Sequence, residues 1–231
     1  MLSSFFNSRL AYLWLPLIFL AAQLVIEGIT TGALHDRMLT ENGPVETFQF
    51  IILFAALFVS VRLLLELKFK PPVWLSVWVL IAALGCFYVG GEEVSWGQHF
   101  LNWNTPEYWA AINDQDETNL HNTSAWFDQK PRILLELGVI IGGLLLPLYR
   151  RFSKKALPAW LLRITPPDRL CFIALIVLGV KLADKFGGAT EIYIFGRASE
   201  VIEFFLFYFI LLYVIDLRQT LFTSMEKKQN V

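Results

Sequence analysis

Glu92, Glu93, His99, Glu117 and His121, joined further along by Glu200 and Glu203, make a mixed carboxylate and imidazole set drawn from three segments of the chain. That composition suits zinc, iron or manganese. Zinc asks for two imidazoles and a carboxylate with one open position, and a dinuclear carboxylate centre uses bridging glutamates from several helices. The spacing at 117–121 is E-x-x-x-H rather than the E-x-x-H of di-iron bundles, and the sequence contains no H-E-x-x-H. If the apolar segment before Glu92 stays helical, Glu92 and His99 lie two turns apart on one face and Glu92 stacks on Trp96; Glu117 and His121 share a face in the same way. Arg197, Glu200 and Glu203 recur at three-residue intervals and form one helical stripe.

In this reading His99, Glu117 and His121 hold the metal, with Glu92 or Glu93 completing or bridging it. Glu93, Glu117, Glu200 and Glu203 are the candidate catalytic carboxylates. Arg197 and Lys181, with Trp96, are the candidate substrate-binding groups, since Arg and Lys bind phosphate through charge-assisted hydrogen bonds. The plainer alternative makes Glu117 and His121 a local hydrogen-bonded pair. Arg197 with Glu200 and Lys181 with Asp184 then become charge-neutralising pairs, and the tryptophans a membrane-interface belt.

The elements that must position these residues are read from composition. The 231 residues are 56% hydrophobic and 17% charged, where a soluble domain carries about 25% charged. Net charge is -1, which excludes a basic nucleic-acid footprint. Six continuous apolar runs, at about 10–30, 45–65, 73–91, 131–149, 169–186 and 192–215, approach the ~18 residues needed to cross a bilayer. The fold expected is an all-α integral membrane domain of six transmembrane helices in one piece, with a long, partly helical connection over 92–130. The fifth run is the weakest, because Lys181 and Asp184 fall in its last turns. The first is read as an uncleaved span, since it is longer than a signal-peptide core and lacks a good A-x-A site. Cys86 and Cys171 lie in separate apolar runs, and no structural disulfide is expected of them.

Sidedness follows from the basic residues, which cytoplasmic loops retain. Arg9, Arg62, Lys68, Lys70, Arg150, Arg151, Lys154, Lys155, Arg163, Arg169, Arg218, Lys227 and Lys228 fall on one side, 13 of 19. Arg37, Lys130, Arg132, Lys181, Lys185 and Arg197 fall on the other. Both termini are therefore expected in the cytoplasm of an inner membrane, with 92–130 on the periplasmic face. Of the 20 acids only Glu66, Asp168, Asp216 and Glu226 sit on the cytoplasmic side. The rest, with all three histidines, cluster at the opposite ends; several, such as Glu27, Glu46 and Glu136, lie within the apolar runs. A charge inside a span costs at least ~2.5–3.5 kcal/mol and marks a functional site by default, so a polar cavity is expected there. His35, in the 31–44 connection, reads as a loop residue. Thr105-Pro106-Glu107 is a helix-start signal with Thr105 as N-cap. Gly138 and Gly142 form a G-x-x-x-G step for close helix packing.

The stretch GEEVSWGQHF at 91–100, with NWNTPEYW at 102–109 and ETNLHN at 117–122, resembles a pattern found in uncharacterised bacterial polytopic membrane proteins. The resemblance covers about 30 residues and implies membership without an activity. The chain does not resemble the intramembrane zinc hydrolases of the ceramidase and adiponectin-receptor group, whose three histidines and seven spans are not matched. The expected function is a small membrane enzyme, metal-dependent, acting on a lipid or lipid-linked substrate from the outer leaflet. The alternative is a non-enzymatic transporter with a cation or proton site, or an accessory subunit of an envelope-assembly complex. Nearly pure apolar cytoplasmic halves of the spans argue against a through-path. Protein partners are not indicated.

Overall fold

The computed structural model describes residues 8–29, 43–113, 115–153 and 155–229, and every regular element among them is helical. His35 and Arg37 lie outside the described residues, as do Asp114 and Lys154. Six long helices are present among the described residues. Helix α1 runs to Ile29 (Leu15–Ile29) from a π-helical opening turn, Leu10–Trp14. Helices α2 (Pro44–Leu67) and α3 (Val73–Glu93) follow. Helix α4 joins Ala125–Ile140, a π-helical turn at Ile141–Leu145, and Leu146–Phe152. Helices α5 (Cys171–Thr190) and α6 (Ala198–Gln229) complete the chain.

Five of these are long and apolar enough to cross a membrane: α1, α2, α3, the part of α4 from Lys130, and α6 as far as Phe222. Helix α5 is twenty residues long, about 30 Å, but any span-length stretch of it contains Lys181, Asp184 and Lys185. The sixth helix begins at Ala198 rather than 192, and the fourth begins at Ala125, ahead of its apolar run.

The chain divides into two compact bodies, residues 40–136 and residues 1–39 with 137–231. In the first, α2 and α3 are joined by a short turn in which Lys68 and Phe69 both have φ near 51°, so the helices run antiparallel. Their shared seam is made of Gln49, Leu53, Ala56, Ser60 and Leu63 on α2, and Ser76, Val79, Ala83, Cys86 and Gly90 on α3, all buried. The opposite faces expose Phe54, Phe58, Leu65, Ile81, Leu84 and Phe87. Gln49, Ser60, Ser76, Ala56, Ala83 and Gly90 lie inside beside Leu53, Leu63 and Val79, while the phenylalanines face out. That is the reverse of a water-soluble hairpin and the arrangement lipid requires. Helix α2 begins cleanly because Gly43 is extended, Pro44 opens the first turn and Glu46 sits where the helix N-terminus favours an acid.

In the second body α6 is the central element, with Phe205, Leu206 and Leu212 fully buried. The Tyr208 hydroxyl donates to the Ala11 carbonyl at 2.8 Å, inside the π-helical turn of α1, and the Tyr213 hydroxyl donates to Ile164 O at 2.7 Å. Arg169 pairs with Asp216, and Arg150 with Asp168. Of the two glycines of the expected G-x-x-x-G step only Gly142 is close-packed, and its companion at the contact is Gly143 rather than Gly138. A Cβ on Gly138 would meet nothing within 4 Å, whereas one on Gly143 would lie 2.6 Å from the Ala174 Cβ and one on Gly142 3.0 Å from Pro166. The π-helical turn adds a residue to the local repeat and brings Gly143 to the contact beside Gly142.

Gly143→Ala is therefore expected to cost about 1–3 kcal/mol by overpacking, lowering the unfolding midpoint in mild detergent. Gly138→Ala should leave that midpoint unchanged or slightly raised.

Candidate functional site

Helix α3 stops at Glu93, and the next residues turn sharply. Ser95, Trp96 and Gly97 have φ of 46°, 55° and 105°, a run of left-handed conformations that costs non-glycine residues roughly 1–2 kcal/mol each. Two short helical turns, Gln98–Leu101 and Glu107–Ala110, follow before the chain reaches the 113–123 segment. That segment folds back antiparallel on the end of α3 and offsets the strain with hydrogen bonds.

Several hydrogen bonds join the segments. Glu92 uses both carboxylate oxygens: Oε1 accepts the Trp96 indole N–H at 2.7 Å and Oε2 accepts the Leu120 backbone N–H at 2.6 Å. Gln98 Oε1 accepts the Thr118 N–H at 2.8 Å, while its amide donates to Thr105 Oγ1 at 2.8 Å. Between them, three donors converge on the buried Glu117 carboxylate. Ser95 Oγ and Asn119 Nδ2 donate to Oε2 at 2.6 and 2.7 Å, and His99 Nε2 lies 2.8 Å from Oε1. This is the donor set an ionised carboxylate needs, and the Nε2–H tautomer of His99 completes it. Asn119 also donates to Ser95 Oγ at 3.0 Å, and is itself fixed by Asn113 Nδ2 on its Oδ1 at 2.8 Å. Asn113 Oδ1 accepts the backbone N–H groups of Gln115 and Glu117 at 3.0 and 3.1 Å.

Ser95, His99 and Glu117 superficially suggest a nucleophilic triad, but the geometry is wrong for one. Ser95 Oγ lies 3.0 Å from the same ring nitrogen that meets Glu117, where a triad uses the two nitrogens for the two partners. Its proton goes to Glu117, and the residue is fully buried. Ser95 positions the other two.

His99 does reach an opening. A cavity of about 140 Å³ is lined by Glu46 and Thr47 from the first turn of α2, by Glu93 and Val94 at the end of α3, and by His99 and Phe100. Two carboxylates and an imidazole thus border one small space, with the imidazole held from behind by Glu117. The antiparallel hairpin explains the juxtaposition, since the start of α2 and the end of α3 fall at the same end.

Several expectations are corrected. The helix does not continue through His99, because the left-handed turn intervenes; Glu92 and Trp96 meet through that turn. It is Gly91 that lets them, since a Cβ there would lie 2.8 Å from the Trp96 ring. Glu117 and His121 do not share a helical face: 117–120 is irregular, and His121 opens a three-residue 3-10 turn. Asn119 and Asn113 draw the backbone into side-chain hydrogen bonds that compete with a helix there. Thr105 does not cap the following helix; its hydroxyl donates to Asp116 O, and Pro106 takes the N-cap position. The side chain of His121 lies outside the described residues, and among the described residues no three of His, Cys, Asp and Glu gather closely enough to hold a metal.

Lys181, Arg197, Glu200 and Glu203 belong to the other body. There Arg197 lies 3.9 Å from Glu200, and Glu27 accepts the Gly196 N–H at 3.0 Å. Ser95, Gln98, Asn113, Thr118 and Asn119 were missed by a reading that looked for titratable groups, as was Glu46 as a partner of Glu93. Most of the neutral ones stand inside the motif stretches, and that was the signal available.

Glu92→Gln replaces one acceptor with a donor, so either the Trp96 indole or the Leu120 N–H loses its partner. A loss of about 1–3 kcal/mol is expected, together with changed tryptophan fluorescence and faster proteolysis of 102–120.

No family model matches this chain, and neither the curated proteins nor the solved structures include a significant match to it.

Proposed function

We propose that this chain is a six-span integral-membrane enzyme of the inner membrane with cytoplasmic termini. In this proposal its outer-leaflet site acts on a lipid or lipid-linked substrate by acid–base chemistry at His99. One observation carries the reading: His99 borders a cavity with Glu46 and Glu93 while its Nε2 is bound to Glu117. A carboxylate behind an imidazole fixes its tautomer and stabilises the cation formed when it takes a proton. In this reading His99 takes a proton from a hydroxyl or water in the cavity and later returns it to the leaving group, with Glu117 stabilising the imidazolium. Glu93 is the second acid–base group at the same cavity. Glu200, Glu203, Arg197 and Lys181 are not required for this step.

A metal-dependent form, using zinc, iron or manganese with Glu92, His99, Glu117 and His121 as ligands, is less well supported, because both Glu92 oxygens already accept protein donors. A purely structural role, as in an accessory subunit, is favoured by one observation, the closed set of donors around Glu117.

These readings separate in one experiment. Wild type, His99→Gln and Glu93→Gln proteins, purified in mild detergent without chelator or histidine tag, are incubated with a total polar lipid extract that is followed by mass spectrometry. The acid–base reading expects turnover by wild type only, a loss of at least 10²-fold in either variant, unchanged unfolding midpoints and no stoichiometric metal. About one equivalent of metal lost in His99→Gln would establish the metal form. Variants that unfold, with no turnover by wild type, would establish the structural role.

A further inference from the structure

The connection from α4 to α5 carries six Lys or Arg between Arg150 and Arg169 against one acid, Asp168. Two of these cations are paired inside the protein. Arg150 pairs with Asp168 and also donates to Pro166 O at 3.3 Å, and Arg169 pairs with Asp216. Both nearby acids are thereby taken, while the exposed Arg151, Lys155 and Arg163 have no ion pair among the described residues. The Arg150 bonds close the intervening chain into a loop at the end of α4, the helix whose membrane-length stretch finishes at Phe152. That loop shows large apolar side chains as well: Phe152 is 78% exposed, Trp160 57% and Leu162 48%. Trp160 and Arg163, three residues apart in and just after the short turn Ala159–Leu162, share a face.

Cations set beside exposed aromatic and aliphatic side chains, at the end of a membrane-length helix, match the headgroup layer of a bilayer. Rings and aliphatic groups reach the acyl chains while the charges stay among the phosphates. The charge of the lipid follows from the pairing already described. An ammonium headgroup would meet three cations here and no acid that is not already paired, whereas a phosphate whose charge is not cancelled by an ammonium gains charge-assisted hydrogen bonds. Nucleic acid shares the phosphate but offers Leu162 and Phe152 no acyl chain to enter. We propose that residues 151–163 bind the headgroups of anionic phospholipids in the adjoining leaflet, with Arg151, Lys155 and Arg163 on the phosphates and Phe152, Trp160 and Leu162 in the upper acyl region. The inference rests on the membrane-spanning character of the helices and not on the chemistry proposed at His99.

The test uses the full chain in mild detergent. Phosphatidylglycerol and phosphatidylethanolamine of identical acyl chains compete for the protein, with retained lipid read by native mass spectrometry. A preference for phosphatidylglycerol on the order of tenfold is expected, falling to near parity in Arg151→Gln/Lys155→Gln/Arg163→Gln. It should persist in Arg151→Lys/Arg163→Lys, which keeps the charges, and in Lys130→Gln/Lys185→Gln, which removes exposed charges elsewhere. A second measurement needs no variant. Backbone amides over 159–163 of the wild type should exchange hydrogen several-fold more slowly in nanodiscs containing phosphatidylglycerol than in nanodiscs of zwitterionic lipid alone. Equal retention by wild type, a preference that the triple variant keeps, a preference lost equally in Lys130→Gln/Lys185→Gln, or unchanged exchange over 159–163 would each overturn the proposal. Displacement of the retained lipid by millimolar inorganic phosphate would assign the cations to free phosphate, and displacement by a short single-stranded RNA would assign them to nucleic acid; either result also overturns it.

Discussion

The Glu117 carboxylate is the point on which the long connection turns. A buried carboxylate is tolerated only when its oxygens are bonded, and here the donors come from Ser95, His99 and Asn119. Satisfying Glu117 therefore fixes the turn after α3, the histidine at the cavity and the 113–123 segment at once. The left-handed Ser95 and Trp96 persist because this set, with Glu92 on the Trp96 indole, outweighs their strain. Glu117, with Ser95, holds the His99 ring at the cavity that Glu46 and Glu93 also line.

The helices supply a rigid frame by packing small residues inward. Gln49, Ser60 and Ser76 lie buried in the α2–α3 seam while phenylalanines face outward. In lipid the outward residues gain nothing by pairing with each other, so association depends on close backbone approach. Ala56, Ala83 and Gly90 permit it on one hairpin, and Gly142 and Gly143 permit it in the other body.

Much of the frame was legible in the sequence, because a membrane span is dictated by local composition. The apolar runs of α1, α2, α3 and α6 are unmistakable, and Lys181 with Asp184 already marked α5 as the exception. The connection was legible only in its membership. Glu92, His99 and Glu117 stood out as ionisable groups, but a helical face was assumed where tertiary hydrogen bonds decide the path. Nothing local to Glu92 states that its oxygens are claimed by Trp96 and Leu120, twenty-eight residues apart in the second case. The G-x-x-x-G reading held at Gly142 and missed at Gly138 for a similar reason, since a π-helical turn is a one-residue shift that periodicity assumes away.

Every group in the candidate site, from Glu46 on α2 to Asn119, comes from one uninterrupted piece of chain. The hydrogen bonds that join the end of α3 to the folded-back segment reach across 18 to 28 residues, all inside the first body. Every group in these bonds is present once the chain has been made as far as Leu120. During synthesis, the hairpin and its folded-back connection can mature at the membrane before α5 and α6 have left the ribosome. The order of the chain thus separates two tasks in time: the Glu117 network can be made first, and the later helices are made after it.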